Sequence, residues 1–256
     1  MPTIIPIPAF TDNYIWMIRE GSRAAVVDPG DATPVEARLA SDGVELTAIV
    51  ATHHHGDHVG GIPALARGRD IPVFAPAGER VAGATLGLAE GDRFELPGIG
   101  ITLRVLDIPG HTAGHIACVA DDAGWLFCGD TLFAAGCGRL FEGTPQQMWS
   151  SLSKLAALPA ATKVYCGHEY TLANLRFAAA VEPGNAEIAS RSARERAKRD
   201  RGEPTLPTTI GDELATNPFL RANLPTLAAS AAAHAGHALR SPVEVFAELR
   251  SWKDAF

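Results

Sequence analysis

The sequence predicts a protein in which helices pack on β-sheets, followed by a smaller all-helical domain, and two observations lead to this expectation. Over roughly the first two thirds of the 256 residues, short apolar runs alternate with helical patterns, which is typical of layers of helix on sheet. After about residue 171 the strand-like runs stop, and the remaining segments have helical periodicity, with proline or glycine between most of them. We therefore expect two domains, residues 1–171 and residues 172–256.

The first elements in the chain form a predicted β-hairpin. Residues 14–18 and 24–27 are apolar runs on either side of a turn at residues 20–22. The sequence Asp28-Pro29-Gly30 then ends the second strand.

Helix starts are predicted from a pattern that recurs three times. Thr33, Thr144 and Ser241 are each followed by proline and have Glu or Gln three positions later, which is typical of an N-cap and the first turn of a helix. The helix that begins at Thr33 is expected to stop at Gly43. In the second domain we predict helices at residues 172–181, 186–201, 210–215, 224–235 and 243–254.

Composition and charge argue against several classes of protein. Apolar residues make up 46% of the chain and charged residues 20%, which is typical of a globular protein. The net charge of -7 argues against a general affinity for nucleic acid or an anionic membrane. There is no apolar run of about 20 residues and no secretory signal pattern at the N-terminus, so we expect a cytoplasmic protein. The four cysteines are expected to be reduced and mostly buried: Cys118, Cys128, Cys137 and Cys166.

The most informative stretch contains four imidazoles and one carboxylate in six positions. A globular domain has no packing reason to gather metal-type donors so densely. His53 and His55 are two positions apart, so in an extended segment they point the same way, and His54 points the other way. We interpret His53 and His55 as ligands of one metal ion. Asp57 and His58 follow a glycine that permits a sharp turn, and we expect them to bind a second ion.

Four predicted strands end in residues that can bind a metal ion. Residues 46–51 lead into the histidine cluster, 103–108 into His111, 125–128 into Asp130, and 163–166 into His168. Sites in layered α/β proteins gather where strand ends open into loops, so these four points are expected to meet on one rim of the sheets.

Three other histidines are interpreted as structural. His115 begins the next strand, and His234 and His237 lie in an alanine-rich helical stretch. None of the three follows the end of a strand.

Seven donors exceed what one tetrahedral zinc ion uses. One arrangement has Asp130 shared by two ions, with His53, His55 and His111 completing one site and Asp57, His58 and His168 the other. Two divalent ions ~3.5–4 Å apart lower the pKa of a shared water toward ~7 and stabilise an oxyanion, which predicts a hydrolase. The mixture of imidazole and carboxylate suits zinc and also accepts iron or manganese.

The order of four motifs resembles the metallo-β-lactamase superfamily. They are His-x-His-x-Asp-His from His53, Pro-Gly-His-Thr-x-Gly-His from Pro109, Gly-Asp-Thr from Gly129, and Cys-Gly-His-Glu-Tyr from Cys166. The resemblance implies an α+β fold in which residues 1–171 form a four-layer αββα catalytic sandwich with a metal site. True β-lactamases of the group usually have a cysteine ligand where this chain has Asp130, which argues against that activity.

Further motifs resemble glyoxalase II, the hydroxyacylglutathione hydrolase family, and extend the match over nearly the whole chain. They are Thr11-Asp12-Asn13-Tyr14 and the stretches at residues 136–144, 217–221 and 250–254. The resemblance implies that S-D-lactoylglutathione is hydrolysed to D-lactate and glutathione, in the detoxification of methylglyoxal. It also implies that residues 172–256 form a helical substrate-binding domain.

The same resemblance implies a substrate-binding set and catalytic roles for two carboxylates. The substrate-binding residues are Arg139, Phe141, Tyr170, Arg250 and Lys253. Cationic donors suit the two carboxylates of glutathione. Some family members have tyrosine at the position of Phe141, so this residue either contacts the ligand through its backbone or lacks a hydroxyl contact. Asp57 and Asp130 are expected to orient the water shared by two divalent ions, with zinc as the first expectation.

Three alternatives stay open at this point. A glutathione persulfide dioxygenase of the same superfamily would use one iron ion and would not need all seven donors. An RNA-processing nuclease fits poorly with an acidic chain, and a non-catalytic metal-binding protein fits poorly with a complete donor set. As partners we expect only the small-molecule glutathione thioester, with no nucleic acid, no membrane and no second subunit.

Overall fold

The computed structural model describes residues 2–256, and the chain divides into two compact units. The first unit contains the residues up to Asp107 together with Thr112–Gly129, and the second contains Ile108–His111 and Asp130–Phe256. The predicted boundary between residues 171 and 172 separates a catalytic from a substrate-binding domain. The compact units described here are defined differently, so the boundary stays a prediction.

A six-stranded sheet in the order β1-β2-β3-β4-β5-β6 forms one layer of the first unit. Its strands are β1 (Thr3–Ala9), β2 (Asn13–Glu20), β3 (Arg23–Val27), β4 (Glu45–Val50), β5 (Val73–Pro76) and β6 (Leu86–Leu88). The first three strands pair antiparallel and the later ones pair parallel. The predicted hairpin is therefore confirmed as β2 and β3, and the predicted strand at residues 46–51 as β4.

Three helices accompany this sheet, α1 (Ala32–Asp42), α2 (Gly56–Val59) and α3 (Ile62–Ala66). Helix α1 presents Val35 and Leu39 to a buried apolar cluster that also contains Ile49 and Leu65. The predicted start at Thr33 is wrong by two residues, because the carboxylate of Asp31 caps the helix by accepting from the backbone N–H of Thr33. The predicted stop is confirmed, since Gly43 follows in the left-handed conformation.

Four antiparallel strands form the other sheet layer of the first unit. They are β7 (Arg93–Leu96), β8 (Ile101–Asp107), β9 (Ile116–Ala120) and β10 (Trp125–Gly129), paired in chain order. The rings of Phe74 on β5 and Phe94 on β7 lie 4.3 Å apart between their centroids, so apolar side chains of the two layers pack together.

The second unit is mainly helical. Its strands are the short pair β11 (Leu132–Phe133) and β12 (Gly136–Cys137), and β13 (Lys163–Cys166), which pairs with β14 (Thr208–Thr209). Its helices are α4 (Pro145–Ala156), α5 (Thr171–Val181), α6 (Ala186–Asp200), α7 (Ile210–Thr216), α8 (Pro225–Ala235) and α9 (Pro242–Ala255). The strand β14 is a correction, because only helices were predicted after residue 171.

The other two predicted helix starts are confirmed. The side chain of Thr144 accepts from the backbone N–H of Gln147, whose side chain reciprocates, so α4 begins with a complete capping box. Ser241 caps α9 by accepting from the backbone N–H of Glu244, whose side chain accepts from the backbone N–H of Arg240. All four cysteines are buried and outside any disulfide, as expected. Among residues 2–256 no helix is long and apolar enough to cross a membrane.

Candidate metal centre and binding pocket

The first group of predicted ligands lies between the end of β4 and the start of α2. His53 is fully buried and His58 nearly so, whereas His55 and Asp57 are partly exposed. The ring centroid of His53 lies 4.8 Å from that of His55 and 4.2 Å from that of His58. Asp57 and His58 are brought together by the short helix α2, not by a glycine turn, and Nε2 of His58 lies 3.6 Å from a carboxylate oxygen of Asp57.

The buried carboxylate of Asp28 orients two of these imidazoles. It accepts from the backbone N–H of Thr52 at 2.8 Å, from its hydroxyl at 2.8 Å, and from Nδ1 of His58 at 3.1 Å. Because the Thr52 hydroxyl donates to Asp28, the contact of 3.0 Å between that hydroxyl and His53 is donated by Nδ1 of the histidine. Both imidazoles therefore carry a proton on Nδ1, and in their neutral form Nε2 is the metal-binding atom.

Asp57 is held by Asn13 on β2. The side-chain amide of Asn13 donates to a carboxylate oxygen of Asp57 at 3.0 Å. Close packing also fixes this segment, since a Cβ at Gly30 would overlap the backbone carbonyl of Asp57. Asp28 and Asn13 are functional candidates that sequence reasoning did not identify by role. The only signal for Asp28 was its position at the end of β3, directly before Pro29.

Two further histidines of the first unit have structural partners. Nδ1 of His54 lies 2.9 Å from a carboxylate oxygen of Glu79, and Glu79 also accepts from the hydroxyl of Thr112. His115 is fully buried and stacks on His53 with 4.5 Å between the ring centroids. These contacts agree with a supporting role for both rings.

The second unit carries the other three predicted ligands, and they lie close together. Nε2 of His111 is 3.5 Å and Nε2 of His168 is 3.2 Å from the same carboxylate oxygen of Asp130. All three side chains are at least nine-tenths buried. Asp130 follows β10 directly, and His168 follows β13 after one glycine, as the strand-end argument predicts.

The orientation of His111 is fixed by the loop after β12. Its Nδ1 donates to the backbone carbonyl of Arg139 at 2.9 Å, which leaves Nε2 facing Asp130. The loop approaches so closely that a Cβ at Gly138 would overlap the backbone oxygen of Asp130 and lie 3.0 Å from Nδ1 of His111. The ring of Phe141 lies 5.2 Å from that of His111.

The donor set fits divalent cations. In the neutral tautomers described above, Nε2 of His111 and the carboxylate of Asp130 are both acceptors, and so are Nε2 of His58 and the carboxylate of Asp57. Two acceptors facing each other at 3.5–3.6 Å repel unless a cation lies between or beside them. Imidazoles whose Nδ1–H is bound by a carboxylate or carbonyl are typical metal ligands.

A cavity of about 460 Å³ in the second unit is lined by His111 and Asp130 and by the whole predicted substrate-binding set. That set comprises Arg139, Phe141, Tyr170, Arg250 and Lys253. Tyr170 stacks on His168 with 4.7 Å between ring centroids, and Phe141 is 63% exposed. The cavity therefore combines two metal-type donors with three cationic side chains.

The cationic residues of this cavity are held close together. Arg250 donates to the backbone carbonyl of Cys137 at 2.9 Å and to Asp254 at 3.0 Å, and Nε of Arg139 lies 3.3 Å from the same Asp254 oxygen. Burial lowers the pKa of Lys253, and the neighbouring Arg250 guanidinium lowers it further. The carboxylate of Asp254 is shared by the cations Arg139, Arg250 and Lys253, so this part of the cavity favours an anionic ligand.

Comparisons with known families and proteins agree over the full length of the chain. The family described as hydroxyacylglutathione hydrolase C-terminus matches residues 169–256, and the metallo-beta-lactamase superfamily matches residues 9–168. Proteins named hydroxyacylglutathione hydrolase are 60% identical in Alkalilimnicola ehrlichii, over 99% of both chains, and 58% identical in Cupriavidus taiwanensis, over 100% of both chains. The crystal structure of TTHA1623 in a di-iron-bound form is 26% identical with a TM-score of 0.59, covering 86% of this chain and 100% of that one.

Proposed function

The chain belongs to the hydroxyacylglutathione hydrolases of the metallo-β-lactamase superfamily, and from this membership we propose how its residues carry out thioester hydrolysis. It is a thiolester hydrolase that converts a 2-hydroxyacylglutathione and water to the hydroxy acid and glutathione. We propose S-D-lactoylglutathione as its main substrate. Its fold is the predicted metallo-β-lactamase fold of two β-sheets with helices, followed by a helical C-terminal domain. The similarity to proteins named hydroxyacylglutathione hydrolase does not favour the alternative of a persulfide dioxygenase.

The superfamily and the histidine–aspartate clusters indicate a dinuclear metal site. We assign its ligands to the seven predicted donors, His53, His55, Asp57, His58, His111, Asp130 and His168. Two divalent ions held there, zinc in our proposal, would supply an activated water at neutral pH and would polarise the thioester carbonyl. Asp130 lies beside two of the assigned imidazoles in the second unit, which supports its place among the residues that would hold the ions.

The protein's own residues orient the reactants. Asp57, fixed by Asn13, and Asp130 accept hydrogen bonds from the attacking water and direct its lone pair toward the carbonyl carbon. Water adds to the carbonyl, the C–S bond breaks, and the sulfur leaves as a thiolate that takes up the proton released by water. Because a thiolate is a good leaving group, no strong general acid is required.

Glutathione binding is assigned to the cavity of the second unit. The observation that carries this assignment is that a single cavity is lined both by His111 and Asp130 and by the cationic residues Arg139, Arg250 and Lys253. The cations suit the two carboxylates of glutathione, and Tyr170 and Phe141 offer aromatic contact to the peptide. The exposed ring of Phe141 is placed for apolar contact with the peptide, while its backbone N–H donates to the carbonyl of His111.

We also propose the domain roles, location and assembly that the sequence suggested. Residues 1–171 form the catalytic domain and 172–256 the substrate-binding domain, and the two family matches that meet between residues 168 and 169 support this division. The protein acts in the cytoplasm as a monomer.

The decisive experiment combines elemental analysis of the purified protein with a thioester hydrolysis assay. We expect two divalent ions per chain and thiol release from S-D-lactoylglutathione. Asp130→Ala should lose metal and activity together, because it removes the shared ligand, whereas Lys253→Ala should keep its metal and mainly raise KM. A fully metallated and active Asp130→Ala protein contradicts the ligand assignment, and oxygen consumption with glutathione persulfide in place of thiol release contradicts the reaction.

A further inference from the structure

The turn that joins β11 to β12 is an unusual piece of backbone at the wall of the glutathione cavity. It comprises Phe133, Ala134, Ala135 and Gly136, and Ala135 has a φ of 56°. A residue with a Cβ rarely adopts this left-handed conformation unless its surroundings impose it. The question is therefore what imposes it.

Three buried side chains bind the backbone of this turn, and we call them the turn clamp: Asn174, Glu213 and Asn217. A carboxylate oxygen of Glu213 accepts from the backbone N–H of Ala135 at 2.7 Å. The amide of Asn217 donates to the carbonyls of Phe133 at 3.2 Å and Gly136 at 2.9 Å.

The third clamp residue completes the set. The amide of Asn174 donates to the carbonyl of Ala134 at 3.0 Å, and a Cβ at Gly136 would overlap the Asn174 side chain. Each of the four residues of the turn therefore has a backbone group bound by the clamp. Such full coverage leaves the turn one conformation.

The clamp itself is anchored by a buried ion pair. Glu213 is fully buried, and its other carboxylate oxygen accepts from Arg191 at 2.6 Å and from the hydroxyl of Thr208 at 2.7 Å. Burying two charges is costly and is weak evidence of a stabilising role, whereas charged networks of this kind can fix a single arrangement. Arg191 and Thr208 thus fix the position of the Glu213 carboxylate, whose second oxygen binds the backbone N–H of Ala135 in the turn.

The clamped turn positions two parts of the cavity. The ring of Phe133 lies edge-on to Tyr170, with 5.3 Å between centroids, and to His168, with 5.8 Å. On the other side of the turn, the carbonyl of Cys137 accepts from Arg250. A shift of the turn would therefore move an aromatic wall of the cavity and one of its cations together.

We propose that the turn clamp is a set of positioning residues that gives the cavity its shape for the glutathione part of the substrate. This inference rests on the proposed assignment of the cavity to glutathione. The clamp residues act through the turn: Glu213, Asn217 and Asn174 bind its backbone, and Asn174 also lines the cavity. Their effect belongs to recognition of the peptide rather than to cleavage of the thioester.

The test uses Glu213→Gln, which keeps size and shape. A glutamine offers one acceptor oxygen, so one of the two donor sets, Ala135 and Asn217 or Arg191 and Thr208, faces an NH₂ group instead. We expect KM for S-D-lactoylglutathione and the dissociation constant of glutathione to rise about tenfold, and kcat to change less than about threefold. Hydrolysis of a lactoyl thioester of cysteamine, which lacks both carboxylates of glutathione, should stay within about twofold of the wild type.

A matched control separates positioning from stability. Glu195 is also a buried carboxylate of a helix in the second unit, paired with Arg194 and Lys198 at 2.8 Å, and its partners are not part of the turn. Glu195→Gln should lower the melting temperature without changing KM or glutathione binding. Asn174→Ala, which removes the bond to Ala134 and shortens a side chain that lines the cavity, should show the same split as Glu213→Gln, and it serves if Glu213→Gln folds poorly.

Three results overturn the proposal. The first is wild-type glutathione affinity in both Glu213→Gln and Asn174→Ala. The second is an equal loss for the glutathione and cysteamine thioesters, and the third is an equal effect of Glu195→Gln, since either of these shows general destabilisation. Wild-type protein that binds glutathione, with the expected loss in Glu213→Gln, but hydrolyses no thioester contradicts the proposed function and leaves the role of the clamp standing.

Discussion

Asp28 shows how one buried carboxylate determines the chemistry of two other residues. It receives three hydrogen bonds, two from Thr52 and one from His58, and through the Thr52 hydroxyl it also sets the tautomer of His53. The carboxylate can only accept, so every proton in this relay is directed toward it. Nε2 of both imidazoles is thereby left as the atom that the proposed metal ligation would use.

We therefore predict that Asp28→Asn weakens metal binding although Asp28 is not itself an assigned ligand. Asparagine tolerates the positive φ of 54° at this position, so the backbone should be retained. Its NH₂ group cannot accept from Thr52 and His58, which should lower metal affinity about 10–100-fold. Competition with a chromogenic chelator measures the affinity, and circular dichroism confirms the fold.

The matched control for this prediction is Asp31→Asn, an exchange of one good N-cap residue for another at the start of α1. It should leave metal affinity unchanged. Wild-type affinity in Asp28→Asn would show that the histidine tautomers do not depend on this carboxylate.

The sequence predicted seven donors but not the residues that contact and orient them, and the reason is physical. His53, His55, Asp57 and His58 are recognisable by residue type and local spacing alone. The role of Asp28 depends on a contact with His58 that is 30 positions away, and nothing in the local sequence of either residue encodes that contact. The same holds for Asn13, whose partner Asp57 lies 44 positions further along the chain.

At the scale of secondary structure, the accuracy of prediction followed how local the signal is. The hairpin β2–β3 and the starts of α4 and α9 depend on residues within a few positions, and they were predicted correctly. Strand β1 was not predicted, because Pro6 and Pro8 lower its strand propensity. It tolerates both prolines as an edge strand, where an absent N–H need not leave a partner unsatisfied, and edge position is set by the sheet as a whole.

The loop after β12 shows how a connecting segment can position two proposed metal ligands, His111 and Asp130. Gly138 packs against the backbone of Asp130 and the ring of His111, so the loop has no room for a side chain there. We predict that Gly138→Ala displaces one of these two residues and lowers metal content and kcat/KM together, by at least about tenfold. Elemental analysis and steady-state kinetics on the same preparation measure both quantities.

The control for the loop is Gly184→Ala, because a Cβ at Gly184 meets no atom within 4 Å. This variant should match the wild type in both measurements. If Gly138→Ala also retained full metal content and activity, the close approach of the loop would have no part in holding the ligands.

For the molecule as a whole, the proposed ligands are spread from residue 53 to residue 168, which spans most of the catalytic sequence. An unfolded chain cannot present such distant donors to one pair of ions at once. Metal binding is therefore coupled to folding, and the folded state is stabilised by the free energy of binding. The extent of this coupling was beyond prediction from sequence, since it depends on how well the donors are oriented before metal arrives.

We predict that removal of metal by a chelator lowers the melting temperature by on the order of 10 °C. At a free metal concentration 1,000 times the dissociation constant, mass action stabilises the folded state by about 4 kcal/mol, and for a chain of this size 1 kcal/mol corresponds to roughly 2–4 °C. Calorimetry with and without chelator measures the shift.

The control is Glu195→Gln, which should retain the full shift in melting temperature. Glu195 is not a proposed ligand, and its ion pairs are with Arg194 and Lys198. Asp130→Ala should show a much smaller shift, since it cannot hold the ions that the chelator removes, and equal shifts in Asp130→Ala and wild type would mean that the stabilising metal binds elsewhere.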